Sequence, residues 1–512
     1  MRRDTDLLHD KYFYAAVVLV LLSMAYWCAF SLNAYYTFHD YTDLGEYAEN
    51  FYYDVSYTGV MNGLQLMVFG NHISLDQLLF VLPIYYLHQS ATTLLVVQAA
   101  VLCATGLIVF VVTRNLLRDS QLGLLMCIAY LLNPGMHGMM VFDYHIEFLI
   151  IPFFVISFYY FMKLNRARYY IALALLLCTI ELAPLLVFAL GAGMMIYGSS
   201  RENESERAAI VRLAAETIVI SIAALALFNL FFYVLTASYG TYNSAVPVLF
   251  RVQSYPLFPV FSASASGRIS IQSFAANMGI ANLIAYGLIV AFLGFGVGGL
   301  FSAIELVVFS LPWLMEVFFG DMAFALMWFQ YFSYVIGGVV AANILGVKEM
   351  LKREKRWGLR FAPLRSKPML VVSTLIVVAF ITAVYPFFVL NNNVPDIWEA
   401  FIFQTPSSQM EAYSQLYTAL ALVPNNASLL TQYFVMPHVS DREYLAVLSS
   451  SAVPSNFTPQ YILVDFNQNI STNVFESNGL QFKIFQQYIT GMPYRLVYTN
   501  GTAELYKYMP SH

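Results

Sequence analysis

Charged residues are scarce in this sequence. Asp, Glu, Lys and Arg make up 11% of its 512 residues, whereas hydrophobic residues make up 59%. This balance is typical of α-helical proteins that cross a membrane many times. No stripe of basic residues alternates with aromatic ones, so nucleic acid is not an expected partner.

The motifs of several common enzyme classes are also absent. The sequence has no G-x-x-x-x-G-K-[ST] motif, which excludes a P-loop ATPase, and no H-E-x-x-H or G-x-S-x-G motif, which disfavours metalloproteases and serine hydrolases. The four cysteines lie in apolar runs and form no CxxC pair, so a zinc site is not indicated.

Apolar runs separated by loops that contain Lys and Arg predict about 11 transmembrane helices. Residues 12–32 form the first; a cleaved signal peptide is the competing interpretation of this run. Arg2 and Arg3 place the N-terminus inside, and the basic segment 348–367 precedes a last span at 369–390 that leads outside. We therefore predict an integral protein of the cell membrane, with a multispanning domain at residues 1–390.

Three other stretches of the predicted multispanning domain carry or adjoin the unusual polar residues described below. Residues 72–87 predict a short helix in the membrane interface, and residues 122–134 predict an outward span. The run 169–197 is too long for one span and is interrupted by Glu181 and Pro184. It predicts two short helices that meet outside near Glu181.

The composition changes after residue 390, and we predict a small α/β domain outside the membrane at residues 391–512. Helical periodicity covers residues 408–422, and residues 428–431, 444–448 and 461–465 predict strands. Asn500 and Gly501 predict the turn of a hairpin that joins 494–499 to 502–508. Four N-x-[ST] sequons in this domain agree with an external location.

The most unusual stretch is Asp143-Tyr144-His145-Ile146-Glu147, which lies between two apolar runs. A carboxylate in such surroundings must be paired, hydrogen-bonded or metal-bound. Asp143, His145 and Glu147 share one side of the chain if it is extended, and could then bind a divalent cation such as magnesium or manganese. The alternative is that they only cap the following helix.

The topology places further polar residues on the same outer face. If residues 43–50 are helical, Asp43, Glu46, Tyr47 and Asn50 share one face, although this could be a solvated surface helix. His72 begins the interfacial helix, and the alternative to a role in the site is that it only caps this helix. Glu181 interrupts an apolar hairpin, which favours a function. Arg251 and Arg268 are the basic residues available there to bind a phosphate, or else solvated loop arginines.

These motifs resemble those of a prokaryotic family of polytopic membrane proteins known only as a domain of unknown function. Its Asp-Leu-Gly-like motif is matched by Asp43-Leu44-Gly45, and its Asp-Phe-His-Pro-Glu motif by residues 143–147, with Tyr for Phe and Ile for Pro. Its His-containing motif is matched by His72 before residues 82–85. Only Glu181 of its Lys-Glu-Asp motif is present here.

That family is similar in layout to the GT-C glycosyltransferases, which transfer a sugar from a lipid-phosphate donor to an acceptor on the outer face. The resemblance implies that Asp43 is the general base, with Glu46 as substitute, and that His72, Asp143, His145, Glu147 and Glu181 shape the site. A polyprenyl phosphate carrying the sugar is then the expected partner, beside membrane lipid. Our hypothesis from the sequence is a membrane glycosyltransferase-like enzyme; the alternatives are a membrane transporter and a non-catalytic scaffold of the cell envelope.

Overall fold

The structure is a computed structural model that describes residues 7–40, 42–56, 74–239, 302–319, 332–357, 407–448, 457–466 and 478–510. In this part of the chain the membrane domain is helical. Its helices are α1 (Lys11–Tyr36), α2 (Thr42–Ser56), α3 (Leu82–Leu87), α4 (Ala91–Leu117), α5 (Ser120–Leu131), α6 (Pro134–Phe142), α7 (Ile150–Met162), α8 (Arg166–Leu177), α9 (Ala183–Ser199), α10 (Glu204–Tyr239), α11 (Ala303–Phe319) and α12 (Ser333–Trp357). A π-helical turn, Gln77–Val81, precedes α3, and a 3₁₀ turn, Ile146–Leu149, precedes α7.

Four helices among the described residues are long and apolar enough to cross a membrane: Lys11–Tyr36, Ala91–Leu117, Glu204–Phe228 and Ser333–Lys352. A fifth results if α5 and α6 together form one bent span. The count of about 11 spans stays a prediction, because part of the chain, including the predicted last span at residues 369–390, lies outside the described residues. Shorter apolar helices, such as Ala183–Ser199, pack among the long ones.

The prediction that one helix covers residues 122–134 is wrong about where that helix ends. Helix α5 stops at Leu131, and α6 continues the chain to Phe142 at an angle of 41°. The break has a local cause: the Asn133 side chain accepts a hydrogen bond from the Gly135 amide at 2.8 Å and so caps a new helix. Pro134 follows as the first residue of α6, where its missing N–H costs nothing.

The ends of several helices are joined by ion pairs and hydrogen bonds at the end of the bundle where α1 begins. Asp10 caps α1, and its carboxylate lies 3.1 Å from Nε of Arg114, in the last turn of α4. Lys163, just after α7, donates to the carbonyl oxygen of Asn115 at 3.3 Å. The start of α1 and the ends of α4 and α7 therefore lie together, as alternating spans require.

The predicted break near Glu181 is observed. Helix α8 ends at Leu177 and α9 begins at Ala183, with Pro184 in its first turn. Helix α12 continues to Trp357, into the basic segment 348–367. There Glu349 lies 3.7 Å from Arg201, so part of that segment is helical and paired with the loop that follows α9.

The C-terminal part is a small α/β unit, as predicted. Helix α13 (Ser407–Ala421) packs on a five-stranded sheet of β1 (Leu429–Thr431), β2 (Leu445–Val447), β3 (Tyr461–Asp465), β4 (Tyr494–Asn500) and β5 (Ala503–Tyr508). The strand order is β2-β1-β3-β5-β4, with β1 parallel to β2 and β3 and the other pairs antiparallel. Gly501, with φ of +58°, makes the predicted hairpin turn.

Helix α14 (Asn478–Gly491) was not predicted from the sequence. It covers one face of the sheet, where Ile484 and Phe485 pack with Ile462 and Val464. The sheet has α13 on its other face, since Leu416 and Ala419 belong to the cluster that contains Leu463 and Leu505.

The C-terminal unit packs directly against the start of the membrane domain. Phe38, between α1 and α2, belongs to the same buried cluster as Tyr413 and Phe434. The His438 ring lies 4.1 Å from the rings of Tyr35 and Phe38, measured between centroids. Met436, in the 3₁₀ helix Tyr433–His438, covers Gly45 of α2. Helix α2 is therefore held between the C-terminal unit and the membrane helices.

Candidate functional site

The first turn of α2 holds Asp43, which was predicted as the general base. Helix α2 is amphipathic: Leu44, Ala48 and Phe51 are fully buried, and Tyr85 of α3 donates to the carbonyl oxygen of Ala48 at 3.1 Å. At its start, the Leu44 amide donates to Oδ2 of Asp143 at 3.2 Å. A carboxylate from a distant loop thus satisfies a free amide of the first turn and favours its positive end.

The loop that carries Asp143 also carries His145, which lies at the centre of the site. Its Nε2 atom lies 3.1 Å from Oδ1 of Asp143 and 3.2 Å from Oδ2 of Asp43. Its Nδ1 atom lies 3.6 Å from Oε2 of Glu147. One face of the imidazole stacks on Phe142, with 4.9 Å between ring centroids. The structure therefore brings together four residues predicted from two separate motifs.

Burial distinguishes Asp43 from the rest of this cluster. The side chains of Asp143, Glu147 and His145 are 0%, 1% and 5% exposed, whereas that of Asp43 is 30% exposed. A molecule that approaches from outside can therefore contact the Asp43 carboxylate, whereas the other three side chains support it from behind. Tyr47 closes one side of the cluster, with its ring centroid 6.0 Å from that of His145.

The carboxylates keep His145 charged. Burial alone would lower its pKa, but the adjacent carboxylates of Asp143 and Asp43 outweigh burial and raise the pKa of His145 to about 10. Burial raises the pKa of Asp143 to about 6, against the lowering effect of the adjacent His145 ring. At neutral pH the pair is thus an imidazolium beside a carboxylate.

Two further acids near Asp43 were missed by the sequence analysis. Asp40, Asp43, Glu46 and Glu49 recur at intervals of three residues, a spacing that could have been noticed. Burial, and then the neighbouring charge of Asp143, raises the pKa of Asp40 well above its ordinary value. Burial, and then the charge of Glu46, raises the pKa of Glu49 to about 8. The start of α2 and the residue Asp40 before it therefore concentrate carboxyl groups, of which Glu49 is mostly protonated at neutral pH.

Glu181 is buried in the break between α8 and α9, at 5% exposure. The Asp76 amide donates to the carbonyl oxygen of Cys178 at 3.2 Å, which connects this break to the segment before α3. Asp76 is itself fully buried and accepts a hydrogen bond from Ser74 at 2.6 Å. This second acidic region adjoins the loop of His145 through Gln77, the residue after Asp76.

Three of the predicted site residues, His72, Arg251 and Arg268, lie outside the described residues. The predicted metal set of Asp143, His145 and Glu147 is placed around one imidazole ring, with Asp143 at Nε2 and Glu147 at Nδ1. Within the ranges that the structure describes, no three His, Cys, Asp or Glu side chains are arranged to hold one ion. A divalent cation therefore stays a prediction.

The comparison with protein families gives one match. A family described as "Predicted membrane protein (DUF2079)" matches residues 48–493. The match includes Asp143, His145, Glu147 and Glu181 and begins shortly after Asp43. A search of curated proteins finds none that matches the chain.

Proposed function

Since the chain belongs to the DUF2079 family of predicted membrane proteins, whose description names no reaction, we propose its function from the site. We propose a membrane glycosyltransferase-like enzyme that moves a sugar from a lipid-phosphate donor to an acceptor hydroxyl. The N-terminus lies inside and the C-terminal unit outside, and the reaction takes place at the outer face. The donor's lipid stays in the membrane beside the helices.

One observation supports this proposal most strongly: Asp43 is a partly exposed carboxylate held by buried groups. Its backbone is fixed by the first turn of α2, and its Oδ2 atom lies 3.2 Å from His145, which is itself packed between Asp143, Glu147 and Phe142. Because His145 is charged and packed in place, it orients the Asp43 carboxylate without a flexible partner. A carboxylate in a fixed position is what general-base catalysis requires.

In the proposed reaction, Asp43 accepts the proton of the acceptor hydroxyl. The hydroxyl oxygen then forms a bond to the anomeric carbon of the sugar, and the bond from that carbon to the lipid phosphate breaks. The lipid phosphate leaves with the electron pair of the broken bond. Arg251 or Arg268 is proposed to bind the phosphate, because a guanidinium can contact two of its oxygens at once.

The remaining residues have supporting roles in this proposal. Glu46 is one turn after Asp43 and is the substitute base. Asp143, His145, Glu147 and Glu181, with His72, shape the site. The predicted magnesium or manganese ligands, Asp143, His145 and Glu147, do not fit a single ion in this arrangement, because Asp143 and Glu147 lie at different nitrogens of a charged His145 ring. The proposed reaction therefore assigns no step to a metal ion.

The experiment that tests this proposal is a transfer assay in proteoliposomes with a radiolabelled sugar on polyprenyl phosphate. We expect wild-type protein to release label from the lipid to a hydroxyl acceptor, and Asp43→Asn to slow the reaction by about 10²- to 10⁴-fold. The matched control is Glu411→Gln, at an exposed acid on α13. If the donor is not cleaved, and the intact lipid or a solute instead moves across the membrane, the transferase proposal fails and the transporter alternative is favoured.

A further inference from the structure

One amide side chain within the membrane helices contacts the loop that carries the site. Gln98 lies in α4, in the otherwise apolar run 94–103, and is 3% exposed. Its Nε2 atom donates to the carbonyl oxygens of Met139 at 3.1 Å and of Asp143 at 2.5 Å, and its Oε1 atom accepts from the His145 amide at 2.8 Å. A single side chain thus uses both its donor and its acceptor on three backbone groups.

These three groups lie where a helix offers them no backbone partner. Met139 lies in the last turn of α6, where carbonyl oxygens have no partner within the helix. Asp143 and His145 are in extended conformation, between α6 and the 3₁₀ turn, and make no helical hydrogen bonds through these atoms. A buried backbone group without a partner is costly in apolar surroundings, so the loop depends on Gln98 for its conformation.

A second glutamine holds the same loop from the other side. Gln77, in the π-helical turn before α3, is 1% exposed. It donates to the carbonyl oxygen of Ile146 at 3.4 Å and accepts a hydrogen bond from the hydroxyl of Tyr144. Between them, the two glutamines contact each of the four residues 143–146.

We propose that Gln98 and Gln77 are positioning residues, which fix this loop so that Asp143 and His145 in turn fix the start of α2 and Asp43. The connection runs through named contacts: Gln98 holds the Asp143 backbone, the Asp143 side chain binds the Leu44 amide, and Leu44 follows Asp43. Gln77 acts through Tyr144, whose ring lies 5.5 Å from that of Tyr47 in α2. The consequence for catalysis depends on the proposed function, but the positioning itself does not.

The test is hydrogen–deuterium exchange of the full chain in lipid nanodiscs, which needs no activity. Gln98→Met removes the three hydrogen bonds and keeps a similar volume. We expect exchange to rise about tenfold or more at residues 42–47, as well as at residues 143–149, whose backbone Gln98 binds directly. The first turn of α8, which Asn165 caps at 3.3 Å through the Arg168 amide, should be unchanged.

The matched control is Thr113→Val, which removes another fully buried polar group from α4. It should leave exchange at residues 42–47 and 143–149 as in wild type. A rise that is equal everywhere in Gln98→Met, or a rise that stops at the loop and leaves residues 42–47 unchanged, would show a merely structural role and overturn the proposal.

If Gln98→Met does not fold, Gln77→Met decides the question. It removes only two contacts and should still raise exchange at residues 42–47; no change there would contradict the proposal. In the transfer assay, either variant should lower kcat with little effect on KM for the donor. If wild type itself transfers no sugar but the expected exchange results are observed, the proposed function fails and the positioning role stands.

Discussion

The Oδ2 atom of Asp43 lies 3.2 Å from the Nε2 atom of His145, which joins the first turn of α2 to the loop between α6 and the 3₁₀ turn. Because Asp143 and Glu147 lie beside the same ring, His145 is the only cation within this group of four side chains. The stability of the site and the position of Asp43 therefore depend on one imidazolium.

Replacing His145 should be strongly destabilising. In His145→Gln, three carboxylates lose their shared cation, and two of them are fully buried. Removing one partner of a buried ion pair costs about 3–5 kcal/mol, and we expect about 3 kcal/mol because Asp143 can take up a proton. Denaturant unfolding in detergent at pH 7 measures this. His88→Gln, at an exposed histidine, is the control and should change stability by less than about 0.5 kcal/mol.

The same cluster predicts a pH dependence. The pKa of His145 is raised from an ordinary value of 6.5 to about 10. Its contribution is therefore fully present below pH 6.5 and is lost as the pH rises towards 10, because the folded state binds a proton that the unfolded state does not. From pH 7 to pH 9 we expect wild type to lose up to about 1.4 kcal/mol per pH unit relative to His145→Gln. Equal slopes in the two proteins would mean that the imidazolium is not held by these carboxylates.

The core of the site could be predicted because its residues interrupt apolar runs. Asp143, His145 and Glu181 stand out for that reason, and the lysines and arginines of the loops then suggested which ends of the helices lie together. The structure places Asp43 beside His145, which agrees with the expectation that the polar residues of the two motifs lie together. The strands of the C-terminal unit were predictable from β-branched and aromatic residues between turn signals.

Other features could not be predicted, because their partners are distant or are backbone atoms. Gln98 is one amide in a long apolar helix, and nothing in its neighbourhood shows that the carbonyl of Asp143 is its acceptor. The contact of Met436 with Gly45 depends on how two units pack, which periodicity does not report. Helix α14 was missed because it has no clear apolar stripe and its first turn contains Gly479.

The contact between Gly45 and Met436 predicts that the C-terminal unit fixes α2. A Cβ atom added at Gly45 would lie 2.7 Å from Cγ of Met436, a distance that requires movement. Gly45→Ala should therefore destabilise by about 1–3 kcal/mol, although alanine in a helix is otherwise favourable by about 1 kcal/mol. It should also lower transfer activity, because Asp43 lies on the same turn. Thermal unfolding of the purified protein and the transfer assay measure the two effects.

Two variants control this prediction. Gly491→Ala, at the end of α14, introduces a Cβ with nothing within 4 Å and should be neutral or stabilising. Met436→Ala removes Cγ and Sδ, which a Cβ at Gly45 would meet at 2.7 and 3.1 Å, and leaves only the Cβ atom of residue 436, at 2.9 Å. The double variant should therefore cost less than the sum of the single ones by about 1 kcal/mol or more. Additive effects on stability would show that residue 45 of α2 and residue 436 of the C-terminal unit are not in steric contact.

Glu49 should limit stability at alkaline pH, since burial and then Glu46 raise its pKa from 4.5 to about 8. Between these two values the folded state holds a proton that the unfolded state releases, so this carboxyl makes the protein less stable as the pH rises from 4.5 to 8. Glu49→Gln removes the titrating group and keeps its shape. The shift alone corresponds to roughly 5 kcal/mol at pH 8, but Glu49 is only half-buried and solvent screens its charge. We therefore expect the variant to match wild type below pH 4.5 and to be more stable by roughly 2 kcal/mol at pH 8, measured by denaturant unfolding. Glu411→Gln, at an exposed position of α13, should show no such gain. A loss of stability in Glu49→Gln at pH 8 would mean instead that Glu49 is ionised and paired with a cation, and that the acidic face of α2 is charged along its whole length.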